Sequence, residues 1–232
     1  MDNISAIIVA GGKGSRFSAT QKKQFITLRN KEILAYSIEA FHKIAAISEI
    51  IVVCAPEDID YVRNNICAKY SLDKVTKVIA GGKERQDSVY NALQVTTCEY
   101  VLIHDGVRPF ITPQNILKAI ETMLTKGSCV LGVPVKDTIK KCNPNTAEVL
   151  ETVDRTMLYS IQTPQCFKTE LIFHAHKYAK QSNICLTDDS ALAELCGHKV
   201  FIVEGSYDNI KITTAEDLAV AENILQRRTL DS

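Results

Sequence analysis

The chain has 232 residues, 46% hydrophobic and 23% charged, a composition ordinary for a soluble globular protein, so disorder is not the expected reading. Its 27 basic and 27 acidic side chains cancel, so no bulk attraction to nucleic acid or membrane is expected. An anion has to be held by locally gathered charge. No apolar run approaches the ~18 residues of a spanning helix. The start, MDNISAIIVAGGKG, lacks the basic and apolar segments of a secretory signal. The eight cysteines form no C-x-x-C pair and no zinc spacing, so reduced, mostly buried thiols and a cytoplasmic location are expected.

In chain order, ISAIIVA reads as a first strand, and Leu34, Ile38, Phe41 and Ala45 recur at helical spacing. EIIVVCA is a second strand, followed by a helix marked by Ile59, Val62, Ile66 and Tyr70. KVTKVIA, the helical SVYNALQ and the strand YVLIH come next. Thr112 and Pro113 predict an N-cap and a first helical residue, and Gly127 predicts the end of that helix. CVLGVPV is a fifth strand. Around the turn signal Asn143-Pro144-Asn145, residues 137–156 predict a β-hairpin that projects as an arm. TELIFHAHKYAKQ and TDDSALAELCG read as helices, and KVFIVEG and NIKI as strands. Thr213 and Glu216 predict a capping box for a last helix. Alternating β and α elements with continuously apolar strands predict an α/β fold. It has a mostly parallel sheet and helices on both faces, within a single domain spanning 1–232.

Ligands of such sheets bind beyond the carboxyl ends of the strands. The segments that follow the strands are GGKGSR, GGKERQDS, HDGVRPF, KDTIK and SYDNIKIT, so glycines and charged residues collect at one edge. The first is neither a P-loop nor a full dinucleotide fingerprint, because the third glycine is missing. Gly11, Gly12 and Gly14 still allow backbone N–H groups to approach phosphate oxygens, and Lys13, Arg16, Lys22 and Lys23 follow without an acidic residue. A flexible turn with solvated lysines reads equally well from these residues alone.

AGGKGSR, KQF, GGKERQDSV, HDGVRPF, PVKDTIK, VDR, QTPQCF, TDDSA and NIKIT occur in this order over nearly the whole chain. The set resembles the 2-C-methyl-D-erythritol 4-phosphate cytidylyltransferases, with the ribitol-5-phosphate cytidylyltransferases as near relatives. The resemblance implies a Rossmann-like nucleotidyltransferase fold and a homodimer whose 137–156 arms exchange. It also implies cytidylyl transfer from CTP to a polyol phosphate with Mg²⁺, in non-mevalonate isoprenoid biosynthesis. The acceptor is methylerythritol phosphate by VDR and TDDSALAE; the glycine-rich first loop and the valine before Arg108 lean toward ribitol phosphate.

By the same resemblance, Arg16, Lys23 and Lys211 are the catalytic cations. Ala10, Gly11, Gly12, Gly14, Gly82, Ser88, Asp105 and Gly106 would bind CTP, and Arg108, Thr138, Arg155, Thr163 and Thr187 the acceptor. Asp105 is also a candidate metal ligand, weighed against a hydrogen-bonded turn carboxylate, and Thr187 against a plain helix cap. A phosphate monoester is already largely a dianion at neutral pH, so no general base is expected and His104 is read as structural. Two rival readings are a nucleotide-binding module without turnover and a purine-nucleotide sugar transferase of the same fold. The joint presence of Arg16, Lys23 and Lys211 opposes the first, and the QTPQ, TDDSA and NIKIT blocks the second.

Overall fold

The structure is a computed structural model that describes residues 3–12 and 22–230. The first half contains β1 (Ile4–Val9), β2 (Thr27–Leu28), β3 (Lys31–Glu32), α1 (Ile33–His42), β4 (Ile47–Cys54) and α2 (Ile59–Tyr61, continued by a π-helix Val62–Ala68). It goes on with β5 (Val75–Ala80), α3 (Arg85–Leu93), β6 (Tyr100–Asp105) and α4 (Pro113–Lys126). The second half contains β7 (Ser128–Pro134), β8 (Ile139–Cys142), β9 (Val149–Val153), β10 (Tyr159–Lys168), α5 (Thr169–Gln181), α6 (Asp189–Leu195), β11 (Phe201–Glu204) and α7 (Ala215–Leu230).

Seven strands form one sheet in the order β11-β7-β10-β6-β1-β4-β5. Every pairing is parallel except those of β10, which runs antiparallel to both β6 and β7. Successive side chains of a strand point to opposite faces, and here both faces are covered. Ile4, Ala6 and Ile8 of β1 pack with α1 and α4, whereas Ile7 packs with α3 and α5. Each fully buried aliphatic side chain is worth roughly 1.5–3 kcal/mol, which explains why these strands carry no polar alternation. A third cluster joins Leu28, Val107, Phe110, Ile212 and Ile224, and so ties α7 and the segment before it to the end of β6.

Thr112 caps α4 as expected, its hydroxyl accepting from Asn115 N at 3.2 Å, and Gly127 closes the helix at φ +89°. A side chain there would meet the left-handed penalty that glycine escapes. The hairpin is also present, with β8 and β9 antiparallel and largely exposed.

Four expectations need correction. NIKI is not a strand: its residues hang on tertiary contacts, with Ile212 N donating to Val107 O at 2.9 Å. The cap of α7 is shifted by one residue, because the Thr213 and Thr214 N–H groups both donate to Asp217 rather than Glu216. Ala45 lies beyond the end of α1. Cys54, Cys98, Cys129 and Cys166 are buried, but Cys142, Cys185 and Cys196 are exposed.

Candidate active site

The carboxyl ends of β1, β4, β5 and β6 open onto a cavity of about 470 Å³. Its walls include Ala10, Gly11, Gly12, Lys23, Gly82, Ser88, Asp105 and Lys211, so most of the expected nucleotide and catalytic residues meet in one place. Arg16 and Gly14 lie outside the described residues.

Each wall has a local cause. Ala10 O accepts from the buried Gln24 side chain at 2.9 Å, which fixes the exit of β1 against the short 3-10 helix carrying Lys23. The Gly81-Gly82 turn folds onto the start of α3. A Cβ on Gly82 would lie 2.2 Å from Asp87 Cβ, so only glycine fits. Ser88 is not a helix cap. Its hydroxyl accepts from Gly82 N and donates to Glu84 O, both at 3.1 Å, and so shapes the turn from within. The cap of α3 is a reciprocal box between Glu84 and Asp87.

Asp105, the last residue of β6, is 6% exposed and faces three cations. Lys211 Nζ is 2.8 Å from its Oδ2, Arg85 Nε 3.1 Å from its Oδ1, and Arg108 Nε 3.6 Å from its Oδ2. Burial alone would raise the carboxyl, but the Arg85, Lys211 and Arg108 charges outweigh it and hold Asp105 well below the usual carboxylate range. Asp105 is therefore held in its ionised form, its carboxylate engaged by side-chain cations rather than acting as an N-cap or turn carboxylate. Arg85 was not singled out from the sequence. It bridges Asp105 to the buried Asp189 of α6, whose Oδ2 is 2.7 Å from Arg85 Nη1.

A second cavity, of about 500 Å³, lies beside the first and is lined by Arg108, Val133, Lys136, Gln162 and Tyr207 among others. Lys211 lines both cavities. Its backbone is pinned on either side: Ile212 is fully buried, and Asn209 donates to Gln162 Oε1 and Thr163 O at 3.2 and 3.0 Å. Asn209 O in turn accepts from Arg108 Nη1 at 2.7 Å.

The remaining expected residues divide. Arg108 lines the second cavity. Thr163 is buried, its hydroxyl accepting from Asp105 N at 3.1 Å and meeting His104 Nδ1 at 3.0 Å, so it orients Asp105. Thr138 and Arg155 are exposed at the base of the hairpin, where Arg155 donates to Lys136 O. Thr187 is exposed, and the cap of α6 is its neighbour Asp188, which accepts from Ala191 N at 2.9 Å. Gly106 lines neither cavity, and a Cβ there would lie 2.9 Å from Leu34 Cδ1, so the position is closely packed under α1. Lys22 lines the first cavity but is ion-paired with Glu57 at 2.8 Å and Asp58 at 2.7 Å.

Among the described residues, His104 and Cys54 are poorly suited to acid–base or thiol chemistry. His104 is fully buried, and burial pushes it down to about 4. The Cys54 thiol on the cavity wall is pushed up to about 12 by burial. Among the described residues no cluster of three or more His, Cys, Asp or Glu could hold a metal, and no helix is long and apolar enough to cross a membrane.

Glycines and fixed cations gathered beyond the ends of parallel strands are the plan of a nucleotide-binding α/β protein. The chain is similar, over 97% of its length and 96% of the other chain, to the 4-diphosphocytidyl-2C-methyl-D-erythritol synthase structure from Anaerococcus prevotii, with a TM-score of 0.85 and 33% identity. The 2-C-methyl-D-erythritol 4-phosphate cytidylyltransferase structure from Thermus thermophilus gives a TM-score of 0.80 at 28% identity, covering 97% of this chain and all of that one. The fold is therefore the α/β nucleotidyltransferase fold. Residues 4–227 match the family described as IspD, 2-C-methyl-D-erythritol 4-phosphate cytidylyltransferase. A relative of that name from Clostridium kluyveri is 47% identical over 222 residues, 95% of this chain and 96% of its own. One from Caldanaerobacter subterraneus is 46% identical over 227 residues, 97% of this chain and all of its own. The chain belongs to this cytidylyltransferase family.

Proposed function

We propose that the protein transfers the cytidylyl group of CTP to 2-C-methyl-D-erythritol 4-phosphate, giving 4-diphosphocytidyl-2-C-methyl-D-erythritol and pyrophosphate. The observation that carries this reading is the position of Lys211, on the shared wall of two cavities and 2.8 Å from Asp105. Nucleotide in the first cavity and acceptor phosphate in the second would meet at its ammonium group.

An oxygen of the acceptor phosphate forms the new bond to the α-phosphorus, and the bond from that phosphorus to the bridging oxygen of pyrophosphate breaks. With a second pKa near ~6 the nucleophile needs no proton acceptor at neutral pH. The obstacle is repulsion between two anions, so the work is positioning and charge stabilisation. Lys211 faces the α-phosphate, and Lys23 and Arg16 hold the rest of the triphosphate. Ala10, Gly11, Gly12 and the Gly82–Ser88 turn offer small surfaces and backbone groups to base and ribose, and the family resemblance adds Gly14 to the nucleotide-binding residues. Arg108 grips the acceptor phosphate from the second cavity.

Asp105 fits a role beside Mg²⁺ because such an ion is held by one or two carboxylates and the substrate phosphates rather than by a protein cage. When bound, the ion would neutralise charge on the triphosphate. The protein's own contribution is a carboxylate held ionised and aimed by Thr163, Arg85 and Lys211.

The hairpin suggests a homodimer. Val149, Leu150 and Met157 are 55%, 57% and 82% exposed, large apolar side chains that an isolated chain would leave in water. Arm exchange would bring Thr138 and Arg155 to the acceptor pocket of the neighbouring subunit, where Thr187 remains an acceptor candidate. Val149→Glu with Leu150→Glu is expected to give a monomer by light scattering; an unchanged mass would remove this role. One arm-bearing domain, residues 1–232, and the free thiols suit a soluble enzyme of a reducing cytoplasm.

Pyrophosphate release measured with each NTP, against methylerythritol phosphate and ribitol phosphate, tests the whole reading. Release with CTP and methylerythritol phosphate is expected. Release with ribitol phosphate alone would change the acceptor, and release with no pair would leave a binding module.

A further inference from the structure

Of the three cations around Asp105, Arg85 is the one that also holds a second buried carboxylate. Its Nε is 3.1 Å from Asp105 Oδ1 and its Nη1 2.7 Å from Asp189 Oδ2. Asp189 is 1% exposed and is itself fixed: its Oδ1 lies 2.9 Å from His176 Nε2, and its backbone N donates to Gln165 Oε1 at 2.9 Å. One residue along, Gln86 fastens the same stretch of α3 to the segment before α6, donating to Ile184 O and accepting from Leu186 N, both at 3.0 Å. The start of α3 is thus anchored to a rigid, buried part of the protein some hundred residues away in sequence.

We infer that Asp189 is a positioning residue for the transfer reaction, acting through Arg85. On the cytidylyl-transfer reading, Lys211 and Arg108 also face substrate phosphate, which competes with Asp105 for both cations. Arg85, held by Asp189 at 2.7 Å as well as by Asp105 at 3.1 Å, stays in place. It keeps Asp105 paired and oriented, and it is withheld from the triphosphate. Without the Asp189 charge, Arg85 is free to swing onto the nucleotide. It would then strengthen the ground state while Asp105 loses its fixed partner, the pattern that lowers turnover without weakening binding.

The inference rests on the cytidylyl-transfer reading, so the parent enzyme is assayed alongside. Turnover absent from the parent would count against that reading, and Asp189 would then be judged on CTP affinity. Asp189→Asn, nearly isosteric, is expected to lower kcat about tenfold with the CTP Kd unchanged or tighter. A structural defect would instead weaken CTP binding. Asp189→Glu, which keeps the charge but fits the buried space less well, is expected to retain kcat within about threefold of the parent. The inference is overturned by a folded Asp189→Asn enzyme with parental kcat, by a variant whose CTP Kd rises tenfold, or by a folded Asp189→Glu enzyme that loses more than Asp189→Asn. Should asparagine not fold, the glutamate variant decides: turnover within threefold supports the inference, and a drop beyond tenfold in folded protein refutes it.

Discussion

Under the proposed reading, replacing Lys211 by alanine separates catalysis from stability. The ammonium is 2.8 Å from Asp105 Oδ2, and its side chain is 39% exposed, so the ion pair in the resting protein is partly screened by water. Losing it leaves Asp105 with Arg85 at 3.1 Å and Arg108 at 3.6 Å, and the stability cost should stay within about 1 kcal/mol. The transition state is another matter. A unit charge about 4 Å from developing negative charge, at an effective dielectric of ~20, is worth at most about 4 kcal/mol. Loss of a single preorganised donor typically costs about 2.7–4 kcal/mol, or ~10²–10³ in rate. The variant should therefore melt within a few degrees of the parent and lose 10²–10³ in kcat. It should still bind CTP in part, because Lys23 and the glycine turns are intact. Coupled pyrophosphate detection, calorimetric titration with CTP and a thermal melt give the three numbers. A folded variant with kcat within threefold of the parent would refute the role of Lys211.

Three further outcomes follow from the same geometry. His104 is pushed down by burial to about 4, against ~6.5 when unfolded, so the unfolded chain takes up a proton first and stability is lost as pH falls through that window. Urea unfolding should show a loss of about 2 kcal/mol from this group between pH 7.5 and pH 5, and His104→Gln should flatten that slope; an identical slope would remove the assignment. Gly82→Ala forces a Cβ to within 2.2 Å of Asp87 Cβ, so the turn must shift, at roughly 1–3 kcal/mol, and CTP affinity should fall at least tenfold by titration. Lys22→Ala should leave kcat within about threefold, because Glu57 and Asp58 already occupy that ammonium, whereas Lys23→Ala should lose ~10²; equal losses would contradict the division of labour between the two neighbours.

The strands buried on both faces were legible because continuous apolar runs leave few other readings, as IIVVC and YVLIH illustrate. The antiparallel β10 was not. Its stretch YSIQTPQCFK begins exposed and polar and carries Pro164, a residue that argues against a central strand. The structure accommodates the proline at the register irregularity between Ile161 and Gln165. NIKI failed in the opposite direction: its alternation is real, but it reflects Ile212 entering a core cluster and Lys211 facing a cavity, with no ladder formed. Most of the first cavity's wall was legible, its place from the glycines and charges that recur after successive strands and its individual residues from the family resemblance. Arg85 was not, since a basic residue in the first turn of a helix looks solvated until Asp189, 104 residues later, is seen to hold it. The segment GGKERQDS carried the available signal, a charged run directly behind a glycine pair at the strand-end edge.

The central claim is that Lys211 stands where nucleotide and acceptor meet. A crystal structure with a non-hydrolysable CTP analogue tests it most directly. The account predicts the base against Ala10–Gly12 and the Gly82–Ser88 turn, with the α-phosphate within hydrogen-bonding distance of the Lys211 ammonium. A triphosphate bound with its α-phosphate away from that ammonium, toward Glu57 or out into solvent, would contradict it.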